Sequence, residues 1–454
     1  MVKAKYSKLK ELTTQDAIIL ASERPRALRN YLRKLHATEL CTLLLDCRDD
    51  DDRLILLERI PHPQRGDVLL ELPEGMQEDL LARLAPSEIE DVLEHLDSDD
   101  AADILQAVDK EVAEEVIERL EPDDRRGIEA LLGHDEESAG GLMQAELFKV
   151  RADWTVDKVL VVLRRFGHEI ENLNYVYVVD DEGRLVGVAP LHKLLFTEPE
   201  HLIVEMVKKD FPVVHAGQDQ EEVALMFERF DVLAMPVIDD EEMLVGRITA
   251  DDILDVVQEE ATEDMYRLAG LSGDDDISEP VGITAYRRGI WLTVNLGTAV
   301  LASLVVAQFQ GTIAQLVALA VLMPIVASMG GIAGTQTLTV IVRGIALGRV
   351  TFDNARRSLI KEVSVSLLTG AGFALLMGVV AALWFPELGL KLGLVIGAAL
   401  FINLLIAGMS GALIPLTLQR LSIDPALASG TILTTVTDVV GFFAFLGLAS
   451  IFLL

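Results

Sequence analysis

The hydrophobic positions at the start of the chain recur with a fixed period. Residues 49–132 form seven consecutive units of twelve residues without a gap, from DDDDRLILLERI to EPDDRRGIEALL, and the eighth and twelfth positions of every unit are aliphatic. Asp, Ser or Pro near each start supplies an N-cap or first-turn residue, so each unit predicts a helix of about two turns. Such helices bury their apolar faces only by stacking, which predicts a curved α-solenoid.

A different pattern follows, in which strands alternate with helices and the whole block occurs twice. The segment VRADWTVDKVLVVLRRF at residues 150–166 returns as VHAGQDQEEVALMFERF at residues 214–230, and VVDDEGRLVGV at 178–188 returns as VIDDEEMLVGR at 237–247. This repetition predicts two copies of one small α/β unit. From Ala250 onward the chain has helical periodicity, ADDILDVVQEEATEDMYRLAGL.

The remainder of the chain consists of apolar stretches, each long enough to cross the roughly 30 Å core of a bilayer. Basic residues gather before the first stretch, between the second and third, and between the fourth and fifth, whereas the other two connections carry only Lys391. Because cytoplasmic loops are rich in Lys and Arg, this predicts a multi-pass protein of the cell (inner) membrane with cytoplasmic N-terminal domains and an outside C-terminus. The five expected spans are residues 290–307, 313–342, 363–385, 392–418 and 428–454.

The charge of the chain is concentrated before the membrane part. There are 39 basic and 72 acidic residues; 9 and 5 of them lie from Arg287 onward, which leaves 30 and 67, so residues 1–286 carry −37 and the remainder +4. So acidic a domain repels nucleic acid and attracts cations. Cys41 and Cys47 have no metal-ligand neighbours in sequence, as in a reducing compartment. Residues 1–10 are basic and polar, so no signal peptide is expected.

One acid stands out in the last stretch, because Asp438 is the only ionisable side chain from Ala426 onward. A carboxylate at the centre of a membrane helix costs roughly 2.5–3.5 kcal/mol on insertion scales, so it persists where it faces water, a cation or a partner. Asp438 is therefore a candidate ion ligand. The alternative is an acid near the membrane surface or hydrogen-bonded to Thr435 or Thr437.

The other polar groups of the spans narrow the choice of ion. The five stretches contain no His, Cys or Lys, so soft metals lack their usual ligands there. Oxygen donors remain, and they suit Mg²⁺ or a similar hard ion that keeps part of its water shell. One carboxylate per chain is a thin lining for a divalent ion, whereas a two-fold homodimer brings two to a common axis. Besides Asp438 and backbone carbonyls, the candidate oxygens are on Thr431, Thr434, Thr435, Thr437, Gln336 and Asn403.

Glycines and a proline mark the second stretch at residues 324–336, PIVASMGGIAGTQ. Gly330, Gly331 and Gly334 allow helices to approach closely and can leave carbonyls facing a pore, and Pro324 is expected to do so by breaking the helix. Tight helix packing alone explains the glycines equally well.

Two groups of acids are candidates for divalent cation binding in the soluble part. Asp252, Asp255, Glu259 and Glu263 follow at spacings of three, four and four, on one helical face with nothing basic on that stripe. Like charges one turn apart destabilise a helix, so a cation is expected to compensate them, although a solvated acidic face is the common alternative. On the solvent face of the solenoid, Asp99 and Asp103 also lie one turn apart.

These motifs together resemble the MgtE family of magnesium channels, which is similar over the whole chain. The resemblance rests on the acidic helical repeat, the ESAGGLM turn, the paired α/β units, EEATEDMYRLAGL, DPALASG and TTVTDVVGF. It implies a multidomain fold: a cytosolic all-α superhelical repeat domain, an α/β tandem CBS pair, a connecting (plug) helix and a five-helix α transmembrane domain. The expected domains are 1–134, CBS copies 135–205 and 206–260, plug 261–286 and pore domain 287–454.

The resemblance also implies roles for single residues. Asp438 would be the ion-binding carboxylate of the pore, with Gly331 and Gly334 lining it and Thr434 as a further oxygen donor. Where the family usually has Asn after the glycine pair, this chain has Ile332, so a difference in selectivity or conductance is expected if that amide helps to orient a hydrated ion. The implied regulatory magnesium ligands, to which the stripe adds Glu259, are Asp99, Asp103, Gly141, Asp219, Glu221, Asp231, Asp252, Asp255, Glu260, Glu263 and Asp264.

CBS pairs often bind adenine nucleotides, and Thr249 with Asp252 matches that signature in the second copy. The first copy has Pro190 and Lys193 at those places, so at most one ATP site is expected.

The protein is therefore expected to be a homodimer that takes up Mg²⁺ selectively and that closes when Mg²⁺ binds from the cytoplasm. It is not expected to be an enzyme. The expected partners are membrane lipid and divalent cations, with no nucleic acid. A transporter or exchanger for Mn²⁺ or Co²⁺, and a membrane Mg²⁺ sensor without transport, are the alternatives. A membrane-embedded hydrolase is disfavoured because no histidine follows His215.

Overall fold

The computed structural model describes residues 13–170, 172–271, 273, 281–351, 354–421, 423–427 and 429–454. Residues 1–10, on which the expected absence of a signal peptide rests, and residues 272 and 274–280 of the expected plug segment lie outside the described residues. The chain divides into two compact units, one of residues 1–257 with 276–278 and one of residues 258–275 with 279–454.

The first unit begins with short helices, as the twelve-residue repeat predicts. Their starts follow the expected capping chemistry, since the Asp49 side chain accepts a hydrogen bond from the Asp52 amide and Pro86 and Pro122 occupy first turns. In the described part of the chain these helices are α1 Thr14–Glu23, α2 Pro25–Leu32, α3 Ala37–Leu45, α4 Asp50–Leu57, α5 Arg65–Leu70, α6 Glu74–Leu81, α7 Pro86–Leu93, α8 Ser98–Gln106, α9 Lys110–Arg119 and α10 Pro122–Leu131, with a 3-10 turn at His62–Gln64.

The burial of the repeat confirms its predicted register. The eighth residue of each unit is at most 3% exposed, and the twelfth is buried or partly buried against the same core. Stacking therefore removes from water the apolar face that one short helix cannot bury alone. The eighth residues are Leu56, Val68, Leu80, Val92, Ile104, Val116 and Ile128.

Two three-stranded sheets follow, and they share one topology. In each sheet the first strand pairs parallel with the second, which pairs antiparallel with the third. The sequence repeat is therefore a structural repeat, and the predicted fold classes of the soluble part are confirmed. The first copy has β1 Lys149–Arg151, α11 Val156–Phe166, β2 Tyr175–Val179, β3 Leu185–Pro190 and α12 Leu191–Leu194, with 3-10 turns at Gly167–Glu169 and Ile203–Glu205. The second has β4 Val214–His215, α13 Gln220–Phe230, β5 Ala234–Ile238, β6 Leu244–Thr249 and α14 Ala250–Leu268.

The solenoid packs on the second α/β copy. Ala102 of α8 and Leu131 of α10 share an apolar core with residues of that copy. Gln144 and Arg247 exchange two backbone hydrogen bonds, of 2.7 and 3.0 Å, which attaches the chain after the solenoid to β6. These contacts set α8 beside the start of α14.

The second unit contains five helices, among the described residues, that are long and apolar enough to cross a membrane. The predicted membrane part is therefore confirmed in number, but several bounds differ. The second span begins at Ala318 instead of residue 313, because Leu316 is not helical and residues before it form a separate short helix. The helices are α15 Val281–Gln308, α16 Gln310–Gln315, α17 Ala318–Ala346, α18 Ala355–Trp384, α19 Gly389–Arg420 and α20 Ser429–Phe452.

Pro324 does not break its helix, contrary to the sequence prediction. Helix α17 continues through it to Ala346. In an α-helix the proline removes only the hydrogen bond from its own position to the carbonyl four residues earlier. Leu322 and Val326 on either side are fully buried against α19 and α20, and this packing holds the helix together.

Candidate functional site

Asp438 lies well inside α20, the tenth of its 24 residues and about 13 Å along the axis from its first residue. The Thr435 hydroxyl donates to the Thr431 carbonyl (2.7 Å) and the Thr437 hydroxyl donates to the Thr434 carbonyl (3.0 Å). Each hydroxyl has a single proton, so neither donates to the Asp438 carboxylate. The two threonines therefore do not explain how this acid is tolerated.

The other expected pore residues fall into two environments. Thr434 is exposed, with its hydroxyl on the Gly430 carbonyl at 3.0 Å, and a Cβ added to Gly331 would meet nothing within 4 Å. Gly334 is buried, and a Cβ there would lie 2.8 Å from Leu433 of α20. Gly331 therefore has open space beside it, whereas Gly334 serves the contact between α17 and α20.

Asn403, an expected oxygen donor for the ion, is instead completely buried between three helices. Its Nδ2 donates to the Val326 carbonyl of α17 at 2.9 Å, and Oδ1 has no hydrogen-bond partner among the described residues. A Cβ on Gly441 of α20 would lie 2.6 Å from Nδ2, and one on Gly330 of α17 would lie 2.9 Å from Cγ. The two glycines thus make room for an amide that holds the helices carrying Gly331 and Asp438.

The end of α14 packs against the membrane helices and corrects the expected acidic stripe. Arg267, four residues after Glu263 and on the same face, forms ion pairs with Glu263 and with Asp424 between α19 and α20. A base therefore compensates the stripe at its last acid, contrary to the sequence prediction. Leu268 packs against the apolar cluster of Leu338, Val342, Ala426 and Leu433. Burial, followed by the charge of Asp424, raises the pKa of Asp264 beside this network.

In the first unit, acids of α8 meet the start of α14. Asp99 is only 8% exposed, so it does not lie on the solvent face as predicted. Burial, with the charges of Asp100 and Asp252, raises the pKa of Asp99 to about 9, and burial with Asp103 raises that of Asp100 to about 7. The Asp99 Oδ1 has no hydrogen-bond partner among the described residues. Asp100 is a member of this group that the sequence analysis missed.

Asp252 contributes from α14 and also fixes the start of that helix. Its Oδ2 accepts hydrogen bonds from the Thr249 hydroxyl (2.6 Å), the Thr249 amide (3.3 Å) and Gln144 Nε2 (3.3 Å). Burial raises its pKa, and burial followed by the charge of Glu71 raises the pKa of Asp255 one turn later. The two expected nucleotide residues, Thr249 and Asp252, are therefore bonded to each other.

These acids lie close together without forming a closed metal shell. Within the described ranges, no three His, Cys, Asp or Glu side chains converge as metal ligands. Mg²⁺ needs no such cage, because it commonly uses one or two carboxylates and keeps several waters. A buried carboxylate oxygen without a partner, beside two further acids, fits a hydrated divalent cation.

The remaining expected regulatory residues have local structural roles or are dispersed. Asp219 caps α13 by accepting the Glu221 amide at 2.9 Å, and Asp231 ends that helix with a positive φ of 51°. Gly141 donates its amide to the Ser138 carbonyl at 3.0 Å, and Ser138 forms a β-bridge with Asp219. Glu259 and Glu260 lie in the middle of α14. The bridge and the turn place Gly141 and Asp219 near each other.

A second acid in the membrane helices escaped the sequence analysis. Glu362 is 8% exposed within α18, whereas the third span was expected to begin at residue 363. The available signal was an acid directly before an apolar run.

Comparisons with known proteins agree with these features. Family profiles described as "MgtE intracellular N domain", "CBS domain" and "Divalent cation transporter" match residues 35–137, residues 139–197 with 203–259, and residues 323–448. The chain is 35% identical over 336 residues to "Magnesium transporter MgtE" of Thermus thermophilus and 34% identical over 334 residues to that of Bacillus subtilis, covering 74% of each chain in both cases. A solved structure, "Crystal structure of the cytosolic domain of the Mg2+ channel MgtE in complex with ATP", aligns with a TM-score of 0.51 and 37% identity, covering 54% of this chain and 98% of that one.

The contact between Asn403 and Gly441 predicts a specific suppressor. Gly441→Ala should lower the free energy of unfolding by about 1–3 kcal/mol because the added methyl overlaps the amide. Asn403→Ser in the same chain should restore most of that loss. Unfolding of the purified protein in mixed micelles measures both. Gly447→Ala is the control, since a Cβ there meets its nearest neighbour at 4.0 Å. Equal losses for both alanines, or no rescue, would contradict the contact.

The raised pKa of Asp99 predicts how stability depends on pH without divalent cations. The folded state holds the Asp99 proton more tightly than the unfolded state, so the contribution of this group to stability is complete below pH 4 and is lost as the pH rises towards 9. Asp99→Asn should therefore stabilise the protein much more at pH 8 than at pH 5. Thermal unfolding in EDTA at both pH values tests this, with the exposed Glu118→Gln as control. An equal effect at both pH values would refute it.

Proposed function

The chain belongs to the MgtE family of divalent cation transporters, and from this premise we propose that it carries Mg²⁺ into the cell through a pathway that contains Asp438. The observation that carries the proposal is a carboxylate well inside the last membrane helix whose neighbouring threonine hydroxyls are used elsewhere. The negative membrane potential would drive entry, at roughly 4.6 kcal/mol per 100 mV for a divalent ion.

The pathway is proposed to lie in a homodimer. In one protomer Thr434 is exposed and Gly331 has open space beside it, and Thr335 and Gln336 are exposed polar side chains of α17. Polar groups facing lipid are costly, so a second copy or water covers this surface. A two-fold axis there would bring two Asp438 carboxylates towards one ion.

Selectivity is the finer part of the proposal. Ile332, beside Gly331, is 56% exposed and offers no ligand to a hydrated ion. Discrimination of Mg²⁺ from Mn²⁺ or Co²⁺ would then rest on the oxygen donors of α20 and on the space beside Gly331. A transporter or exchanger for these other ions is the second candidate, because carboxylate and hydroxyl oxygens accept all three.

Cytoplasmic Mg²⁺ is proposed to close the pathway. The acids of α8 and α14 repel one another unless protonated or bound to a cation, and a hydrated Mg²⁺ between Asp99, Asp100 and Asp252 removes that repulsion. Helix α14 begins at these acids and ends at Leu268, packed on α17 and α20. Mg²⁺ shifts the equilibrium because it binds the closed state more tightly.

Other acids and ATP complete the proposed regulation. Gly141 with Asp219 is a secondary cation site, and Asp264 is a further candidate beside Glu263, whose charge Arg267 already pairs. ATP bound at Thr249 and Asp252 would compete for the carboxylate that also faces Asp99, and thereby bias the gate. The soluble unit lies in the cytoplasm and the C-terminus outside, with domains 1–134, 135–205, 206–260, 261–286 and 287–454; the boundary after residue 260 falls within α14.

Removal of the Asp438 charge tests transport. Asp438→Asn, which keeps the shape, should reduce Mg²⁺ flux into proteoliposomes at least about 100-fold, because the charge that stabilises the ion is lost. The control is Glu387→Gln, which removes one exposed charge between α18 and α19. Normal flux through Asp438→Asn would refute the pathway. Absence of flux through the unaltered protein would instead favour a sensor without transport.

The gating acids are tested separately from transport. Asp99→Asn with Asp252→Asn should raise the cytoplasmic Mg²⁺ concentration for half-closure about tenfold or more, a coupling typical of regulatory sites, while flux at low Mg²⁺ stays unchanged. Flux measured against internal Mg²⁺ reports both quantities, with Glu118→Gln as the control. An unchanged half-closing concentration would remove these acids from the sensor.

A further inference from the structure

Glu362 is an acid buried in the membrane unit to which the proposed pathway assigns no role. It lies seven residues into α18 and is 8% exposed, while its neighbour Lys361 is exposed and reaches one carboxylate oxygen only at 3.7 Å. Acids inside membrane helices are costly, and those that persist generally serve function.

The carboxylate of Glu362 holds a hydroxyl of the neighbouring helix α17. The Thr337 hydroxyl donates to Glu362 Oε2 at 3.2 Å, and both residues are buried. The other threonines of this part of α17 behave differently, since the Thr335 and Thr339 hydroxyls donate to carbonyls four residues earlier on their own helix, both at 2.9 Å. Thr337 therefore uses its proton to tie α17 to α18.

Two glycines of helix α19 allow α17 and α18 to approach each other at this bond. A Cβ on Gly408 would lie 2.9 Å from the Ser366 Cβ and 3.6 Å from the Glu362 carbonyl of α18. A Cβ on Gly411 would lie 2.7 Å from the Gly334 carbonyl and 3.0 Å from the Thr337 Cβ of α17. Three helices thus converge on the Thr337–Glu362 bond.

The position of Thr337 along α17 shows which two segments of that helix the bond lies between. Gly331 and Gly334 precede Thr337 by six and three residues, which is about two turns and one turn of the helix. Leu338 and Val342, which pack in the cluster that receives Leu268 of α14, follow it. The bond lies between the segment proposed to line the pathway and the segment that contacts the end of α14.

We infer that Glu362 is a positioning residue of the gate, which holds α17 through Thr337 in the arrangement that accepts the end of α14. The inference rests on the proposed closure by α14. A movement of α14 reaches Gly331 only if α17 responds as one rigid piece, and the buried bond supplies that rigidity. Loss of the bond favours the open state, so closure then requires more Mg²⁺.

The test measures Mg²⁺ sensitivity and conductance separately. Thr337→Val removes the donor while keeping the side-chain shape, and should raise the internal Mg²⁺ concentration for half-closure about tenfold, as the loss of a hydrogen bond to a charged group allows. Single-channel conductance should remain unchanged. Thr337→Ser restores the donor and should close normally, and Glu362→Gln, whose amide oxygen accepts a weaker bond, should fall between.

Controls separate gating from stability. Thr369→Val on α18 removes a hydroxyl that donates to its own helix at 2.9 Å, and should close like the unaltered protein. If the Thr337–Glu362 hydrogen bond only supports the fold, its loss would lower the protein yield and the melting temperature and leave the half-closing Mg²⁺ concentration unchanged. That result for Thr337→Val and Glu362→Gln would overturn the inference. If the unaltered protein itself fails to close with Mg²⁺, the proposed function fails instead. Should Glu362→Gln not reach the membrane, Thr337→Val and Thr337→Ser decide.

Discussion

The structure depends on one constraint, which is that several acidic side chains lie close together in buried surroundings. Residues 1–286 carry −37, and in Asp99, Asp100 and Asp252 part of that charge is buried at the meeting of two structural repeats. Buried carboxylates must bind a proton, a base or a metal ion. At the other end of α14 the partner is a base, because Arg267 forms ion pairs with Glu263 and Asp424. The end of α14 is thus neutralised by the covalently fixed Arg267 side chain, whereas the acids at its start require a proton or a bound cation. This arrangement suits a sensor of divalent cations.

In the membrane unit, buried polar groups are accommodated by hydrogen bonds between helices and by close packing against glycine. Asn403 and Thr337 are buried polar side chains that join α17 to its neighbours, and each lies against glycine. Their bonds hold α17 from two sides, so the helix with the open Gly331 is positioned by polar contacts behind it. The opposite, exposed side of α17 and α20 is the one that the proposed pathway assigns to the ion and to a second copy.

The fold was largely predictable, because its signals are periodic. The eighth position of each twelve-residue unit is buried, and the repeated α/β block gives two sheets of one topology. Two errors came from three-dimensional contacts that no spacing encodes, whereas the sequence itself carried signals for Glu362 and for Arg267, which lies four residues after Glu263. Asp99 appeared solvent-exposed because its burial is due to packing of the solenoid on the second copy, Asn403 appeared to be a ligand because its two glycine neighbours come from other helices, and Glu362 was missed because hydropathy alone set the span. Asp438 was identified as unusual because a single acid in an apolar segment is visible in the sequence alone.

Hydrogen exchange of the full-length protein, with and without Mg²⁺ at constant ionic strength, tests most directly whether the buried acids form the divalent cation site. The account predicts that Mg²⁺ slows amide exchange in α8 around Asp99 and in the first turns of α14 around Asp252, while Na⁺ at matched ionic strength does not. Exchange that is unchanged by Mg²⁺ in both segments, or slowed equally by Na⁺, would contradict the claim that a divalent cation joins these two helices.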